Sequence, residues 1–168
     1  MLEGLASVRT LKFAVAVGAA LFLAACANDK ATTGAGDLAS IGGGAATPGS
    51  AQDFQENVGD RVFFESDSSD LTSTATATLD KQVQWLNQYG TYKILIEGHA
   101  DERGTREYNF ALGQRRAQTT RDYLVAKGVP ASRLSTKSWG KEKPVAVCDD
   151  ISCWSQNRRA VTTLSGGN

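Results

Sequence analysis

Short apolar runs of the kind found in β-strands alternate with stretches of helical periodicity along most of the chain. The first run is RVFFES, residues 61–66, which is rich in strand-forming residues. After it, Leu79, Val83 and Leu86 recur at the spacing of one helix face, up to Gly90. This pattern predicts a strand followed by a helix.

The next two elements have well-marked ends. Residues 92–98, YKILIEG, are uniformly apolar at their centre, as expected of a strand that has neighbours on both sides. A second helix is predicted to begin after Thr105, an N-cap residue. It ends near Gly128, which suits a C-terminal cap and is followed by Pro130.

Two further strands are predicted towards the C-terminus, at residues 133–140 and 158–164. A loop that carries Pro144 and two cysteines separates them. The element order is then β-α-β-α-β-β. This order predicts an α+β fold, a two-layer sandwich with two helices on one face of a mixed sheet.

A different apolar run lies near the N-terminus. FAVAVGAALFL, residues 13–23, follows Arg9 and Lys12. The run is shorter than the roughly 20 residues that a transmembrane helix needs, but it has the length and the basic flank of a secretory signal peptide. We therefore assign residues 1–25 to a signal peptide.

The end of this segment resembles a bacterial lipobox, LAAC, residues 23–26. In a lipobox, small residues precede a cysteine that carries acyl chains and becomes the new N-terminus. Cys26 is the predicted lipid attachment site, and an ordinary signal peptide with a chance cysteine is the alternative. Acyl chains contribute about 0.8 kcal/mol per buried methylene, so they anchor a protein without a transmembrane helix. Ala27 stands in place of the aspartate that often retains lipoproteins in the inner membrane, which favours the outer membrane.

The segment between this cysteine and the domain has a distinct composition. Residues 26–52 are rich in Gly, Ala, Ser and Thr and nearly empty of large apolar side chains. Such a segment cannot bury enough surface to offset its ordering entropy. We predict a flexible linker over residues 26–52 and a single domain over residues 53–168.

The charge balance excludes one class of partner. The 168 residues contain 18 basic and 18 acidic side chains, and no Lys/Arg-rich block is present. Proteins that bind nucleic acid through electrostatics carry such a block. We therefore expect no nucleic-acid partner.

Two cysteines remain in the domain, Cys148 and Cys153, in a C-x4-C spacing. The signal peptide directs the chain to an oxidising compartment, where nearby thiols form disulfides. A local disulfide is the favoured prediction. A metal site is disfavoured, because two thiols fall short of the four ligands of a structural zinc.

Polar residues interrupt the core-facing stripe of the second helix. Asn109 and Arg116 fall at helical spacing with Leu112, which should face the sheet. A guanidinium buried there needs an acceptor, because an unpaired buried charge costs several kcal/mol. Asp101, just after the second strand, is the nearest carboxylate in sequence. An anion carried by a ligand is the alternative partner.

The loop after the first strand adds polar groups to the same edge. Ser66, Asp67 and Asp70 lie there, and loops at strand ends commonly carry function. Together the residues suit a zwitterion. Asp67 and Asp101 would hold an ammonium, and Arg116 with the first amides of the second helix would hold a carboxylate. A plain Asp101–Arg116 salt bridge is the competing interpretation.

Evidence for catalysis is weak. His99 beside Asp101 is the best acid–base candidate. The sequence has no second histidine for a metal site, no nucleophile in a recognisable motif and no glycine-rich phosphate loop. We expect a packing or hydrogen-bonding role for His99, no enzyme activity, and neither cofactor nor metal.

Three segments resemble a known family. GHADERGTREYNFALGQRRA, residues 98–117, is similar to the signature of the OmpA-like peptidoglycan-binding domain, in the form carried by lipoprotein members of that family. VFFESDSSDL, residues 62–71, resembles its first strand and loop, and WSQNRRAV, residues 154–161, its closing strand. With the lipobox and the linker, the resemblance covers nearly the whole chain.

The resemblance implies a binding site for the diaminopimelate residue of peptidoglycan stem peptides. By it, Asp101 engages the ammonium end and Arg116 the carboxylate. Ala100 and Ser66 depart from the family pattern, which often has threonine and an aromatic residue there. The implied peptidoglycan-binding residues are Ser66, Asp67, Asp101, Arg103, Asn109, Leu112 and Arg116.

The resemblance also implies a biological role. Acyl chains in the outer membrane, a linker and a grip on peptidoglycan would make a tether between the outer membrane and the cell wall. Members of this kind work in a Tol-Pal system that supports envelope integrity and cell division, with TolB as a competing partner. The alternatives are an envelope lipoprotein outside that system, a lipoprotein with a purely structural Asp101–Arg116 pair, and a peptidoglycan hydrolase that uses His99.

Overall fold

A four-stranded mixed sheet forms the centre of the computed structural model, which describes residues 46–167. The strands are β1 (Arg61–Phe63), β2 (Lys93–His99), β3 (Leu134–Gly140) and β4 (Arg159–Ser165). The helices are α1 (Ala51–Asp53), which continues as a π-helical turn (Phe54–Val58), α2 (Ser73–Gln88), α3 (Arg106–Ala126) and α4 (Ile151–Asn157); a 3-10 turn (Ala131–Arg133) precedes β3.

The sheet has the spatial order β1-β4-β2-β3. β4 pairs antiparallel with both β1 and β2, and β2 pairs parallel with β3. The predicted α+β class with a mixed sheet is confirmed. The register between β2 and β3 shifts at Gly98 and His99, immediately before the chain leaves the sheet towards Asp101.

One face of the sheet carries the hydrophobic core. Ile94 and Ile96 of β2 are both buried. They lie two residues apart, so their side chains point to the same face of the sheet. α2 and α3 cover this face and contribute Leu79, Leu86, Ala117 and Leu124 to the same buried cluster.

The helix ends follow local sequence signals. The Thr105 hydroxyl accepts a hydrogen bond from the Tyr108 amide, as predicted for the N-cap of α3, and Thr72 does the same for α2. At the other end of α3, Gly128 has φ +99°, a left-handed conformation that favours glycine. Its amide donates to the Val125 carbonyl.

Two glycines let α3 lie directly on the sheet. A Cβ atom on Gly98 of β2 would overlap the Gly113 carbonyl oxygen of α3, and a Cβ on Gly113 would lie 2.5 Å from the Ser138 hydroxyl of β3. The close approach sets where α3 crosses the sheet. It brings the N-terminal half of α3 to the end of β2, where Asp101 follows.

Two helical segments differ from the sequence-based prediction. Residues 51–58 are helical because the Ser50 hydroxyl caps the Asp53 amide and Phe54 packs on Trp85, with ring centroids 4.9 Å apart. Ordered contacts therefore begin before the predicted boundary at residue 53. β1 also ends at Phe63, three residues earlier than expected.

The second unpredicted segment is α4, within the cysteine-bearing loop. The Asp150 carboxylate accepts from the Ser152 amide and caps the helix. Cys148 and Cys153 form a disulfide with an S–S distance of 1.97 Å, and their Cα atoms are 5.7 Å apart. The disulfide joins the preceding loop to the first turn of α4.

The predicted signal peptide, Cys26 and most of the predicted linker lie outside the residues that the structure describes. Within residues 46–167, no helix combines the length and the apolar character needed to cross a membrane. The same residues contain no cluster of three or more histidine, cysteine or acidic side chains suited to a metal ion.

Candidate functional site

A pocket of about 270 Å³ lies where β2 leads into α3. Three segments form its walls: the loop after β1, the loop after β2 and the first turns of α3. Six of the seven predicted binding residues line it, and Arg116 does not. The lining residues are Ser66, Asp67, Asp101, Arg103, Gly104, Tyr108, Asn109 and Leu112.

Asp101 is the buried acid of the pocket, 7% exposed. The Arg103 guanidinium donates to both of its oxygens, from Nη2 at 2.6 Å and from Nε at 3.1 Å, and the Arg103 amide donates at 3.2 Å. Arg158 Nη1 lies at 3.4 Å. Burial by itself raises the pKa of the Asp101 carboxyl, but the hydrogen bonds and charge of Arg103, with Arg158, outweigh it and hold the pKa below its usual value. Asp101 is therefore ionised at neutral pH.

Arg116 has different partners from those that the sequence suggested. Its guanidinium is fully buried and donates to three backbone carbonyls, from Nε to Ser68 at 2.8 Å, from Nη1 to His99 at 2.8 Å and from Nη2 to Glu65 at 3.0 Å. The competing interpretation of the sequence, a plain Asp101–Arg116 salt bridge, is therefore wrong. Asp101 pairs instead with Arg103 and Arg158.

The Arg116 charge is retained despite its burial. Desolvation lowers the pKa of this guanidinium to about 10, and the charge of Asp101 opposes that shift. At neutral pH the group is still protonated. Arg116 thus ties the loop after β1 to the end of β2 and places a positive charge behind the pocket.

Arg103 connects three parts of the fold. Besides Asp101, its Nη2 donates to the Ser66 hydroxyl at 2.8 Å, across to the loop after β1. Its guanidinium also lies 4.2 Å from the ring centroid of Trp154 in α4. The side chain is 43% exposed, so it is the arginine of this region that a ligand can reach.

The loop after β1 reaches the pocket through Asp67. Asp67 has φ 56°, a left-handed conformation that is uncommon outside glycine and often marks functional loops. Its carboxylate accepts a hydrogen bond from the Tyr108 hydroxyl. Sequence reasoning missed Tyr108 and Gly104, although Tyr108 follows the N-cap Thr105 by one helical turn, a position that projects beside the pocket.

Hydrogen bonds to backbone carbonyls fix the loop after β2, which forms one wall of the pocket. The Asn109 side-chain amide donates to the Arg103 carbonyl at 2.7 Å, and Asn109 is 2% exposed. The Lys141 ammonium donates to the Glu102 and Gly104 carbonyls. Leu112 adds a buried apolar surface. The pocket therefore combines fixed acidic and basic groups with an apolar wall.

His99 does not line the pocket. It is 3% exposed, and its Nδ1 has no hydrogen-bond partner within the described residues. Burial, followed by the nearby charge of Arg159, lowers its pKa to about 4. His99 is neutral at physiological pH, and its backbone carbonyl accepts a hydrogen bond from the site residue Arg116.

The low pKa of His99 predicts acid-sensitive stability. The folded-state pKa of about 4 lies below the ordinary value of 6.5, so the native state binds fewer protons than the unfolded state. This contribution is complete above pH 6.5 and is lost as the pH falls from 6.5 towards 4. We expect the free energy of unfolding to drop by about 2 kcal/mol between pH 7 and pH 4.5.

Urea unfolding at both pH values measures this drop, and His99→Gln is the control. The variant should lose most of the pH dependence in this window. Carboxyls with lowered pKa, such as Asp101, lose their contribution only at lower pH. An equal drop in the variant would refute the assignment to His99.

Comparisons with known proteins define the class of this domain. The model of the OmpA family matches residues 63–158. The chain belongs to the OmpA family, as the signature around Asp101 predicts. The C-terminal domain of Helicobacter pylori MotB, residues 125–256, has the same fold at 21% identity and a TM-score of 0.60, covering 64% of this chain and 85% of that one.

Within the family, one kind of protein is similar over nearly the whole chain. Relatives named peptidoglycan-associated lipoprotein are 66% identical in Mesorhizobium japonicum, over 90% of each chain, and 59% identical in Brucella melitensis, over 95% of each. The crystal structure of the peptidoglycan-associated lipoprotein from Burkholderia pseudomallei has a TM-score of 0.61 and 42% identity. It covers 63% of this chain, and the match covers 90% of that protein.

Proposed function

We propose that this protein is an outer-membrane lipoprotein that binds peptidoglycan non-covalently and tethers the membrane to the cell wall. The observation that carries the proposal is the ionised, buried Asp101 in a pocket that also presents the exposed guanidinium of Arg103. The relatives' name, peptidoglycan-associated lipoprotein, agrees with this chemistry.

The ligand is the diaminopimelate residue of the stem peptide. Its free end carries an ammonium and a carboxylate on one carbon atom. Asp101 and Asp67 receive the ammonium from the two loops that flank the pocket, since charge-assisted hydrogen bonds to carboxylates are the strongest available. The carboxylate lies towards Arg103 and the first turn of α3, where backbone amides lack helical partners.

Arg116 keeps a role in this proposal, but not as the first contact. Three of its five N–H groups donate to carbonyls, and its guanidinium is fully buried. We assign the first carboxylate contact to Arg103. Arg116 supplies positive charge from behind the pocket, and its two remaining N–H groups are the donors for a carboxylate that enters more deeply.

The placement of the pocket suits a tether. The Tyr92 hydroxyl, just before β2, donates to the Gly49 carbonyl, near the point where the described chain begins. The pocket lies beyond the other end of β2, which at seven residues is about 20 Å long. A ligand in the pocket therefore pulls from the end of β2 opposite to the one that Gly49 contacts. As a tether of this kind, the protein would act in a Tol-Pal system with TolB as a partner.

Binding is favoured over hydrolysis because of His99. The hydrolase interpretation needs His99 beside the substrate as an acid or base, yet this side chain is buried and does not line the pocket. Its low pKa also leaves it neutral in the pH range of the envelope. We therefore propose a non-enzymatic binding protein.

Calorimetric titration of the purified full-length protein with two stem peptides tests the proposal. One peptide contains diaminopimelate, and the other has lysine in its place, which keeps the ammonium and lacks the adjacent carboxylate. We expect the lysine peptide to bind about tenfold more weakly or worse, because a site built to pair a polar group penalises its absence. Equal affinities, or no binding of the diaminopimelate peptide, would contradict it.

A further inference from the structure

The disulfide-bonded loop reaches the pocket through α4. Cys153 is bonded to Cys148, and the next residue is Trp154. The Trp154 indole N–H donates to Glu102 Oε1 at 2.5 Å, and its ring lies under the Arg103 guanidinium at 4.2 Å. Glu102 and Arg103 directly follow Asp101 in the chain. Trp154 therefore contacts both residues that continue from the central acid of the pocket.

The end of α4 makes a second set of contacts. The Asn157 side chain accepts from the Val145 and Ala146 amides and donates to the Ala146 carbonyl at 2.8 Å. Arg158 donates to the Phe64 carbonyl and reaches Asp101 at 3.4 Å. These contacts hold the C-terminal end of α4 without help from the disulfide.

The N-terminal end of α4 depends on fewer constraints. A helix of seven residues has almost no stability of its own, because nucleation costs more than so few hydrogen bonds return. Apart from the side-chain contacts of Trp154 itself, its first turn is held by the Asp150 cap and by the bond to Cys148. Trp154 belongs to this turn, so its position depends on the disulfide.

We infer that Trp154, held in place by the Cys148–Cys153 disulfide, is a positioning residue that orients Arg103 towards the ligand carboxylate. The inference rests on the proposed function. Arg103 is partly exposed and has several rotatable bonds, and the aromatic face restricts them before the ligand arrives. A guanidinium that is already oriented loses less entropy on binding.

Reduction of the disulfide therefore weakens the binding of the ligand carboxylate by Arg103. A dithiol supplies two electrons and two protons, the Cys148–Cys153 bond becomes two thiols, and the dithiol is oxidised to its own disulfide. The first turn of α4 loosens, and Arg103 loses the fixed ring of Trp154. Asp101 keeps its contact to Arg158 and its buried position, so ammonium recognition persists.

Titration of the full-length protein with the two stem peptides tests the inference. We compare the oxidised protein, the protein reduced with a dithiol, the double variant Cys148→Ser/Cys153→Ser and the variants Trp154→Ala and Trp154→Phe. Reduction, the double variant and Trp154→Ala should each weaken binding of the diaminopimelate peptide by about fivefold. Binding of the lysine peptide should hardly change, so the ratio of the affinities for the diaminopimelate and lysine peptides decreases. A purely structural role would weaken both peptides alike.

Two variants control the experiment. Trp154→Phe keeps an aromatic face but loses the N–H bond to Glu102, so it should bind between the wild type and Trp154→Ala. Val147→Ser, in the same loop and 87% exposed, should bind like the wild type. If the double variant unfolds, the reduced wild type and Trp154→Phe still test the positioning role of Trp154.

The outcomes separate this inference from the proposed function. Unchanged affinity and peptide preference in the reduced protein and in Trp154→Ala would overturn the positioning role, while binding by the oxidised wild type would leave the proposed function intact. Failure of the oxidised wild type to bind the diaminopimelate peptide would overturn both.

Discussion

Replacing Arg116 with methionine is expected to destabilise the domain by about 3–5 kcal/mol. The guanidinium donates to the carbonyls of Glu65, Ser68 and His99, and it is fully buried. Methionine fills a similar volume but removes the guanidinium donor from all three carbonyls, of which Glu65 keeps only the Ser68 amide at 3.3 Å. The loop after β1 then loses its attachment to the end of β2. The melting temperature should fall by about 10 °C or more.

Urea unfolding of matched variants measures this effect. Arg115→Met is the control, because Arg115 is the adjacent residue of α3 and is exposed. It should change the free energy of unfolding by less than about 0.5 kcal/mol. Arg116→Lys keeps the charge, but one ammonium cannot reach three separated carbonyls, so it should recover less than half of the loss. If Arg116→Met and Arg115→Met were equally stable, the anchoring role would be wrong.

Replacing Asp101 with asparagine is expected to weaken peptidoglycan binding by about 100-fold or more, because the only deeply buried carboxylate of the pocket loses its charge. The amide has nearly the same shape, so the pocket walls remain in place. One of the two oxygens that accept from the Arg103 guanidinium is replaced by an –NH₂ donor, so Arg103 loses part of the pairing that orients it. Asp101→Asn therefore weakens both the contact to the ligand ammonium and the orientation of the Arg103 guanidinium.

Co-sedimentation with purified sacculi and titration with the diaminopimelate peptide measure this loss. Asp122→Asn removes the same charge from an exposed position on α3, remote from the pocket lining, and should bind like the wild type. Circular dichroism should find Asp101→Asn folded at 25 °C. A folded Asp101→Asn protein that still sediments with sacculi as the wild type does would refute the site assignment.

These two variants separate two roles that a plain Asp101–Arg116 ion pair would have combined. Asp101 faces the pocket, with Arg103 as its main partner. Arg116 bonds to backbone carbonyls behind the pocket wall. We expect Arg116→Met to act first on stability and Asp101→Asn first on binding.

Sequence reasoning located most of the fold because its signals are local. The spacing of Leu79, Val83 and Leu86 is a property of one helix, and the Thr105 cap needs only the amide three residues later. α4 was missed because its helix is short. It forms where the Asp150 cap and the disulfide constrain the loop.

The sequence by itself determined the order of the four strands with α2 and α3, the core-facing stripe of α3 and the family to which the chain belongs. It also determined that a buried guanidinium at Arg116 would need acceptors. Only the tertiary structure decided which acceptors these are. They belong to residues 17, 48 and 51 positions away. Every residue has a backbone carbonyl, so no residue type marks the ones that converge on Arg116, and their positions follow from the packing of α3 across the sheet.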